Sequence, residues 1–203
     1  MHAVSPRTMQ TSLVAKQCIP GALLMGRFTM GVILLVEARD GNTGTWFLPA
    51  LSAGILSDIL DGMIASHLKV ATAKLREADS WIDAWFFLCA VLSAWLVHRD
   101  ALRPFAMPLI VMIAIYGLSL AVSLIKYGRF ASYHAHSARV AGGLLFLAAV
   151  QLFGLGHAGW LLWAAIVAAI LSHIERIAIT FLLPEWTHDV PTVWHARRMR
   201  RGI

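Results

Sequence analysis

Four aspartates, Asp58, Asp61, Asp79 and Asp83, lie in or beside two apolar segments of the sequence. The first two are three residues apart and the other two are four residues apart, so each pair shares one face of a helix. An unpaired carboxylate near bilayer hydrocarbon costs roughly 3 kcal/mol on insertion scales. Four of them in such surroundings therefore require neutralising partners.

The connection between the two pairs, from Ala65 to Ala78, is short and basic, which predicts two antiparallel neighbouring helices. All four carboxylates then lie at adjacent helix ends and can converge. Hard oxygen ligands suit Mg²⁺, Mn²⁺ or Ca²⁺, and two divalent ions would balance four aspartates. A metal pair about 4 Å apart is a recurring device for phosphoryl chemistry. Such a site would bind a diphosphate and leave one carboxylate to take a proton from an attacking hydroxyl.

The elements that carry these carboxylates are predicted to be membrane helices. The chain has 203 residues, 59% of them apolar and 14% charged, with a mean hydropathy of +0.69. Six apolar blocks are each close to the roughly 17–25 residues that a helix needs to cross a bilayer. They are Pro20–Glu37, Thr45–Ser66, Ser80–His98, Pro104–Ile125, Val140–Leu155 and Trp160–Leu183. Because backbone polar groups must be satisfied internally in lipid, we expect an all-α integral membrane protein with six transmembrane helices.

Lys and Arg residues are concentrated in the segments that would lie on one side of the membrane. These residues are Arg7, Lys16, Lys69, Lys74, Arg76, Lys126, Arg129, Arg139, Arg197, Arg198, Arg200 and Arg201. The opposite side has only Arg39, Arg99 and Arg103. The positive-inside rule makes the rich side cytoplasmic. We therefore expect both termini and the aspartates to face the cytoplasm, in a bacterial inner membrane.

The net charge of +6 raises the question of nucleic-acid binding. Basic residues spaced along membrane loops instead meet anionic headgroups, and the chain has no nucleic-acid motif, so we expect membrane lipids and no nucleic acid as partners. The organisation is a polar or interfacial segment (residues 1–18), one membrane domain (19–184) and a basic tail (185–203). Trp186 and Trp194 within the tail are typical of a segment that lies on headgroups.

The aspartate spacing resembles the motif of the CDP-alcohol phosphotransferases, also called CDP-alcohol phosphatidyltransferases. That motif is Asp-x-x-Asp-Gly-x-x-Ala-Arg, eight or nine residues, then Gly-x-x-x-Asp-x-x-x-Asp. Here Asp58-Ile-Leu-Asp61-Gly62-Met-Ile-Ala65 matches the first half, and Asp79-Ser-Trp-Ile-Asp83 completes the second. Upstream, Ile19-Pro20-Gly21-Ala22-Leu23-Leu24-Met25-Gly26-Arg27 resembles a degraded form of the family's Ile-Pro-Asn-x-Leu-Thr-x-x-Arg opening. The resemblance covers the membrane region and is sharp from Asp58 to Asp83, as in a divergent member.

The resemblance implies a reaction and roles for the four aspartates. A hydroxyl acceptor attacks the β-phosphorus of a CDP-linked lipid, such as CDP-diacylglycerol, and CMP leaves. By the same resemblance, Asp58, Asp61, Asp79 and Asp83 hold Mg²⁺ or Mn²⁺, two ions in all, and Asp83 is also the general base. The family further suggests a homodimer.

The nucleotide-binding residues implied by the resemblance are Asp58, Gly62, Ala65 and Ser66, with small side chains against the cytidine. Ser66 replaces the motif's arginine and Leu75 replaces its second glycine. The first change removes a cation expected near the diphosphate. The second changes how closely the nucleotide can approach. We expect a neighbouring basic residue of the connection to supply the missing charge.

Three cations, Lys126, Arg129 and Arg139, lie between the fourth and fifth predicted spans on the side of the aspartates. They would bind an anionic acceptor, such as glycerol 3-phosphate or another phosphorylated polyol; the alternative is a positive-inside loop without a ligand. Glu175 and Arg176 lie within the last span, where charges line a cavity or form an internal ion pair.

Two other functions are compatible with a cluster of four aspartates. A divalent-cation transporter would distribute acidic groups through the membrane depth, whereas these lie toward one side. A catalytically silent relative would retain the fold and bind a partner, and the residues at 66 and 75 leave that alternative open. An intramembrane aspartyl protease needs two aspartates and a Gly-x-Gly-Asp motif, which the chain lacks.

Overall fold

The computed structural model describes the backbone of residues 6–68, 73–131, 133, 135–187 and 190–201. Within these ranges it describes the side chains of residues 21–57 and of residues from 77 onward. The described backbone is helical and contains no strand. The helices are α1 (Pro6–Ala38), α2 (Phe47–Leu68), α3 (Ala73–Val97), α4 (Arg99–Leu102), α5 (Ala106–Tyr127), α6 (His136–Leu155), α7 (Trp160–Leu182) and α8 (Val193–Arg201), with a 3-10 turn at Arg103–Phe105. The all-α fold expected from the sequence is confirmed for these residues.

Five described segments are long and apolar enough to cross a membrane: Gly21–Ala38, Glu77–Val97, Arg99–Tyr127, His136–Leu155 and Trp160–Leu182. They match five of the six predicted blocks, so the chain is an integral membrane protein. The remaining block coincides with α2, whose described apolar part is the shorter Phe47–Ser57. With 22 residues and a rise of about 1.5 Å per residue, α2 is roughly 33 Å long. A sixth span and cytoplasmic termini remain predictions.

The chain divides into two compact units, Met1–Ser93 and Ala94–Ile203. In the first unit α1 packs along α2, and both helices approach α3 at glycines. A Cβ atom at Gly31 would lie 2.9 Å from Trp85 Nε1, and one at Gly54 would lie 2.3 Å from the Phe86 ring. Small residues let transmembrane helices approach closely. These two contacts therefore fix the register of α3 against α1 and α2.

In the second unit α7 packs against both α5 and α6. Its buried residues recur at helical spacing along one face: Leu162, Ala165, Ile166, Ala169, Ser172, Ile179 and Thr180. At the carboxyl end of α7 the chain forms a small apolar cluster. Its members are Ala131, Tyr133, Ile179, Leu183, Val190 and Ala196. The single buried residue on α8, Ala196, thus attaches this helix to the end of α7.

Candidate active site

Arg27 on α1 is the centre of the polar contacts described in the first unit. Its side chain is 1% exposed. Nη1 lies 3.1 Å from Asp79 Oδ1 and also donates to Asp83 Oδ1. Nε donates to Ser57 Oγ at 3.3 Å. The Arg27 guanidinium therefore connects α1 to Ser57 on α2 and to the first turns of the α3 span.

The packing of α1 on α3 explains why these side chains meet. Phe28 stacks on Trp85 with ring centroids 5.3 Å apart, and the Trp85 indole donates to the Phe28 carbonyl at 3.4 Å. The two helices run parallel, so Arg27 faces the start of the α3 span. Asp79 and Asp83 are four residues apart and share the face that Arg27 contacts.

The electrostatics of this cluster follow from burial. A buried carboxylate is tolerated when it is paired and hydrogen-bonded, and Arg27 supplies a permanent cation. The Asp79 side chain is 9% exposed, whereas that of Asp83 is 39% exposed. Asp83 is therefore the more accessible of the two carboxylates. Arg27, Asp79 and Asp83 together carry one net negative formal charge.

The chemistry of the described residues fits a hard divalent cation. The Oδ1 atoms of Asp79 and Asp83 approach the same nitrogen of Arg27, so the carboxylates converge on one point. Carboxylate oxygens are ligands that Mg²⁺ and Mn²⁺ prefer. Among the described side chains no group of three or more metal-ligating residues is found. Asp79 and Asp83 thus form one half of the predicted ligand set.

The other half of the predicted site lies outside the described side chains. Asp58, Asp61, Gly62, Ala65 and Ser66 all belong to the backbone of α2, and nothing further is described for them. Their assignments as metal ligands and nucleotide-binding residues stay predictions. The structure does place Ser57, the residue before Asp58, in contact with the guanidinium that binds α3.

The three predicted acceptor-binding cations lie at one end of the second unit and differ in their surroundings. Lys126 Nζ donates to the carbonyl oxygens of Thr180 and Leu183 at 2.7 Å each, and to that of Phe181 at 3.3 Å. It therefore satisfies orphan carbonyls at the carboxyl end of α7. Arg129 is exposed, with its guanidinium carbon 5.9 Å from the centre of the Trp186 ring.

Arg139, the third of these cations, is exposed in the first turns of α6. The structure shows that Lys126 caps a helix. Contact of any of the three with an acceptor remains a prediction.

Glu175 joins three helix segments at the same end of the second unit. Its carboxylate accepts hydrogen bonds from Ser137 Oγ on α6 at 2.5 Å and from the backbone N–H of Val193 on α8 at 3.2 Å. Arg176 lies over the Tyr116 ring, 5.9 Å from its centre. The partners described for Glu175 give it a structural role in holding α6 and α8.

Arg27 is the last residue of the degraded opening motif, and the sequence alone predicts no role for it. Two signals were available: its place at the end of that motif, and a cation inside an apolar block. Charged residues within membrane segments usually pair with one another. The partners themselves follow only from the register of α1 on α3, which the Gly31 and Trp85 contact sets.

Comparison with known protein families identifies the family of the chain that carries this cluster. The sequence profile described as CDP-alcohol phosphatidyltransferase matches residues 17–172, more than half of the 203 residues. The chain belongs to this family. Comparison with curated proteins and with solved structures finds no match.

Family membership confirms the resemblance drawn from the aspartate motif. The CDP-alcohol phosphatidyltransferase family is a transferase family, and its activity implies a CDP-alcohol donor and an alcohol acceptor. The matched residues extend from α1 into α7 and include Arg27, Asp79 and Asp83.

Proposed function

We propose that the protein transfers a phosphatidyl group from a CDP-linked lipid, such as CDP-diacylglycerol, to an alcohol acceptor and releases CMP. The observation that carries this proposal is the convergence of Asp79 and Asp83 on Arg27 beside Ser57. The family match supplies the reaction class. A phosphorylated polyol, for example glycerol 3-phosphate, is the proposed acceptor class.

Helical register supports a four-aspartate site. Gly54 meets Phe86 on α3 and Ser57 meets Arg27, so this face of α2 looks toward α3. Residues at spacings of three, four and seven share a helix face, so we expect Asp58 and Asp61, four and seven residues after Gly54, to share its face. Phe86 likewise follows Asp79 and Asp83 at spacings of seven and three. This expectation would bring both aspartate pairs onto faces that pack together, which supports the proposal.

The division of labour follows from exposure. Bound Mg²⁺ or Mn²⁺ would neutralise the diphosphate and polarise it for attack. Asp79, nearly inaccessible, suits a fixed ligand. Asp83, with 39% of its side chain exposed, can accept a proton from an incoming hydroxyl, provided the hydroxyl lies within about 3 Å. Proton acceptance at an Asp83 carboxylate oxygen as CMP departs completes the transfer.

The cytoplasmic orientation of the site is part of the same proposal. Most of the described cations of the second unit lie at the end of that unit where α5 and α7 finish: Lys126, Arg129, Arg139 and those of α8. In the first unit Asp79 and Asp83 lie in the first turns of the α3 span, where both contact Arg27 on α1. The positive-inside rule supports a cytoplasmic position for the basic end.

The test is turnover by purified protein in lipid nanodiscs. Labelled CDP-diacylglycerol, Mg²⁺ or Mn²⁺ and a panel of acceptors would be supplied, and CMP and lipid products resolved. We expect metal-dependent CMP release, with one acceptor forming a new phospholipid, and a loss of at least about 100-fold in Asp83→Asn. The matched control is Asp40→Asn, because Asp40 is 78% exposed in a surface pair with Arg39. No turnover with any acceptor, in folded protein, would favour a silent relative.

A further inference from the structure

The strongest unassigned feature is the position of Arg27 on the carboxylates themselves. Its Nη1 bonds one oxygen of Asp79 and one of Asp83, which are the atoms that a hard cation would use. An oxygen that accepts from a guanidinium has fewer lone pairs available for a cation. Like charges also repel strongly in a partly buried site.

We propose that Arg27 is a positioning residue that competes with a divalent cation for Asp79 and Asp83. In the cation-free protein the guanidinium holds the two carboxylates together and relieves their mutual repulsion. Binding of the cation displaces Nη1 from the carboxylates. This inference rests on the proposed function only for the identity of the ion, since the competition concerns binding and not turnover.

The contact with Ser57 allows Nη1 of Arg27 to leave the carboxylates while the guanidinium keeps another hydrogen-bond partner. Nε donates to Ser57 Oγ at 3.3 Å, and that hydroxyl donates onward to the Gly54 carbonyl at 2.7 Å. Ser57 is thus held by its own helix and offers a fixed point on α2. The guanidinium can rotate about this anchor, so that Nη1 leaves the carboxylates while Nε keeps its partner.

Competition and simple structural support predict opposite changes in cation affinity when the arginine is removed. Removing the arginine removes a charge that opposes cation binding, so Arg27→Gln should bind the cation more tightly. The same change leaves the carboxylates without their counter-charge, so the cation-free protein should be less stable. A residue that only orients the ligands would instead weaken cation binding when removed.

The experiment measures Mn²⁺ affinity by calorimetry and by electron paramagnetic resonance of free Mn²⁺, with no nucleotide present. We expect Arg27→Gln to bind Mn²⁺ at least about tenfold more tightly than the natural protein, because a like charge that contacts both carboxylates is removed. Its melting temperature without Mn²⁺ should fall, and the upward shift on adding Mn²⁺ should be larger. Arg39→Gln is the matched control, since it removes an exposed cation at the residue that follows the carboxyl end of α1.

Two further measurements keep the test decisive if Arg27→Gln fails to fold. Arg27→Lys retains the charge and should keep Mn²⁺ affinity within about threefold of the natural protein. In the natural protein, the ¹⁵N resonance of Arg27, assigned by its loss in Arg27→Lys, should shift on adding Mg²⁺. Unchanged or weaker Mn²⁺ binding in Arg27→Gln, or an unmoved resonance at saturating Mg²⁺, would overturn the inference. Turnover is measured separately, so inactive protein with tighter binding would contradict only the proposed function.

Discussion

The close approach of α2 to α3 at Gly54 gives a prediction that links packing to the site. A Cβ atom at this position would lie 2.3 Å from Cε2 and Cζ of Phe86, whereas ordinary contacts are 3.4–4 Å. Phe86 is itself buried, with 8% of its surface exposed. Gly54→Ala therefore requires a displacement of more than 1 Å in the ring or in the helix.

The expected cost of Gly54→Ala is about 1–3 kcal/mol of unfolding free energy, the usual range for overpacking. Alanine also gains about 1 kcal/mol of helix propensity over glycine, and Gly142→Ala within α6 gains the same amount, so the overpacking cost is the difference in stability between these two variants. Displacement of α2 also moves Ser57 relative to Arg27, so CMP release should fall together with stability. Gly142→Ala is the control, because nothing lies within 4 Å of a Cβ atom there.

The assay is reversible unfolding in mixed micelles, followed by tryptophan fluorescence. A second substitution, Phe86→Leu, should relieve the strain, so the double-mutant cycle should give a coupling of about 0.5–3 kcal/mol in the rescuing direction. If Gly54→Ala is as stable as Gly142→Ala, and no coupling to Phe86 is measured, the packing of α2 against α3 described above is wrong.

Two predictions concern the second unit. Lys126→Met removes an ammonium that donates to the carbonyl oxygens of Thr180 and Leu183, which still accept from the Tyr127 hydroxyl, so thermal unfolding should show a loss of about 0.5–1.5 kcal/mol; a raised KM for the acceptor with unchanged stability would instead support an acceptor site. Burial raises the pKa of the Tyr133 hydroxyl, so the folded state favours the protonated form. Its contribution to stability is complete below the ordinary pKa of about 10 and is lost as pH rises through the raised value. Tyr133→Phe should flatten the alkaline part of the stability curve, and an unchanged curve would contradict this assignment.

Much of the fold follows from hydropathy, because lipid forces apolar segments of sufficient length into helices. Five of the six predicted blocks coincide with helices that are long and apolar enough to span a membrane. The fourth predicted block, Pro104–Ile125, does not begin as a regular α-helix. The short helix Arg99–Leu102 and a 3-10 turn precede α5, and Pro104 lies in that turn, where its missing N–H is not needed.

The candidate site was predictable in its residue types and less so in its contacts. The spacing of Asp79 and Asp83 identified the face they share, since helical periodicity is a local property. The partner Arg27 lies 52 residues before Asp79, and its approach depends on glycine contacts between helices that no local pattern encodes. The helix-capping role of Lys126 was missed for the same reason: the carbonyl oxygens that it satisfies lie on α7, 54 and more residues away.

The proposed metal site requires that carboxylates from α2 and α3 surround divalent cations. Its most direct measurement is an anomalous difference map from crystals of the protein grown with Mn²⁺. We expect Mn²⁺ peaks within about 2.3 Å of carboxylate oxygens of Asp79 and Asp83, shared with Asp58 and Asp61, and the Arg27 guanidinium turned toward Ser57. Carboxylates of the two helices that diverge at saturating Mn²⁺, with no peak between them, would contradict it.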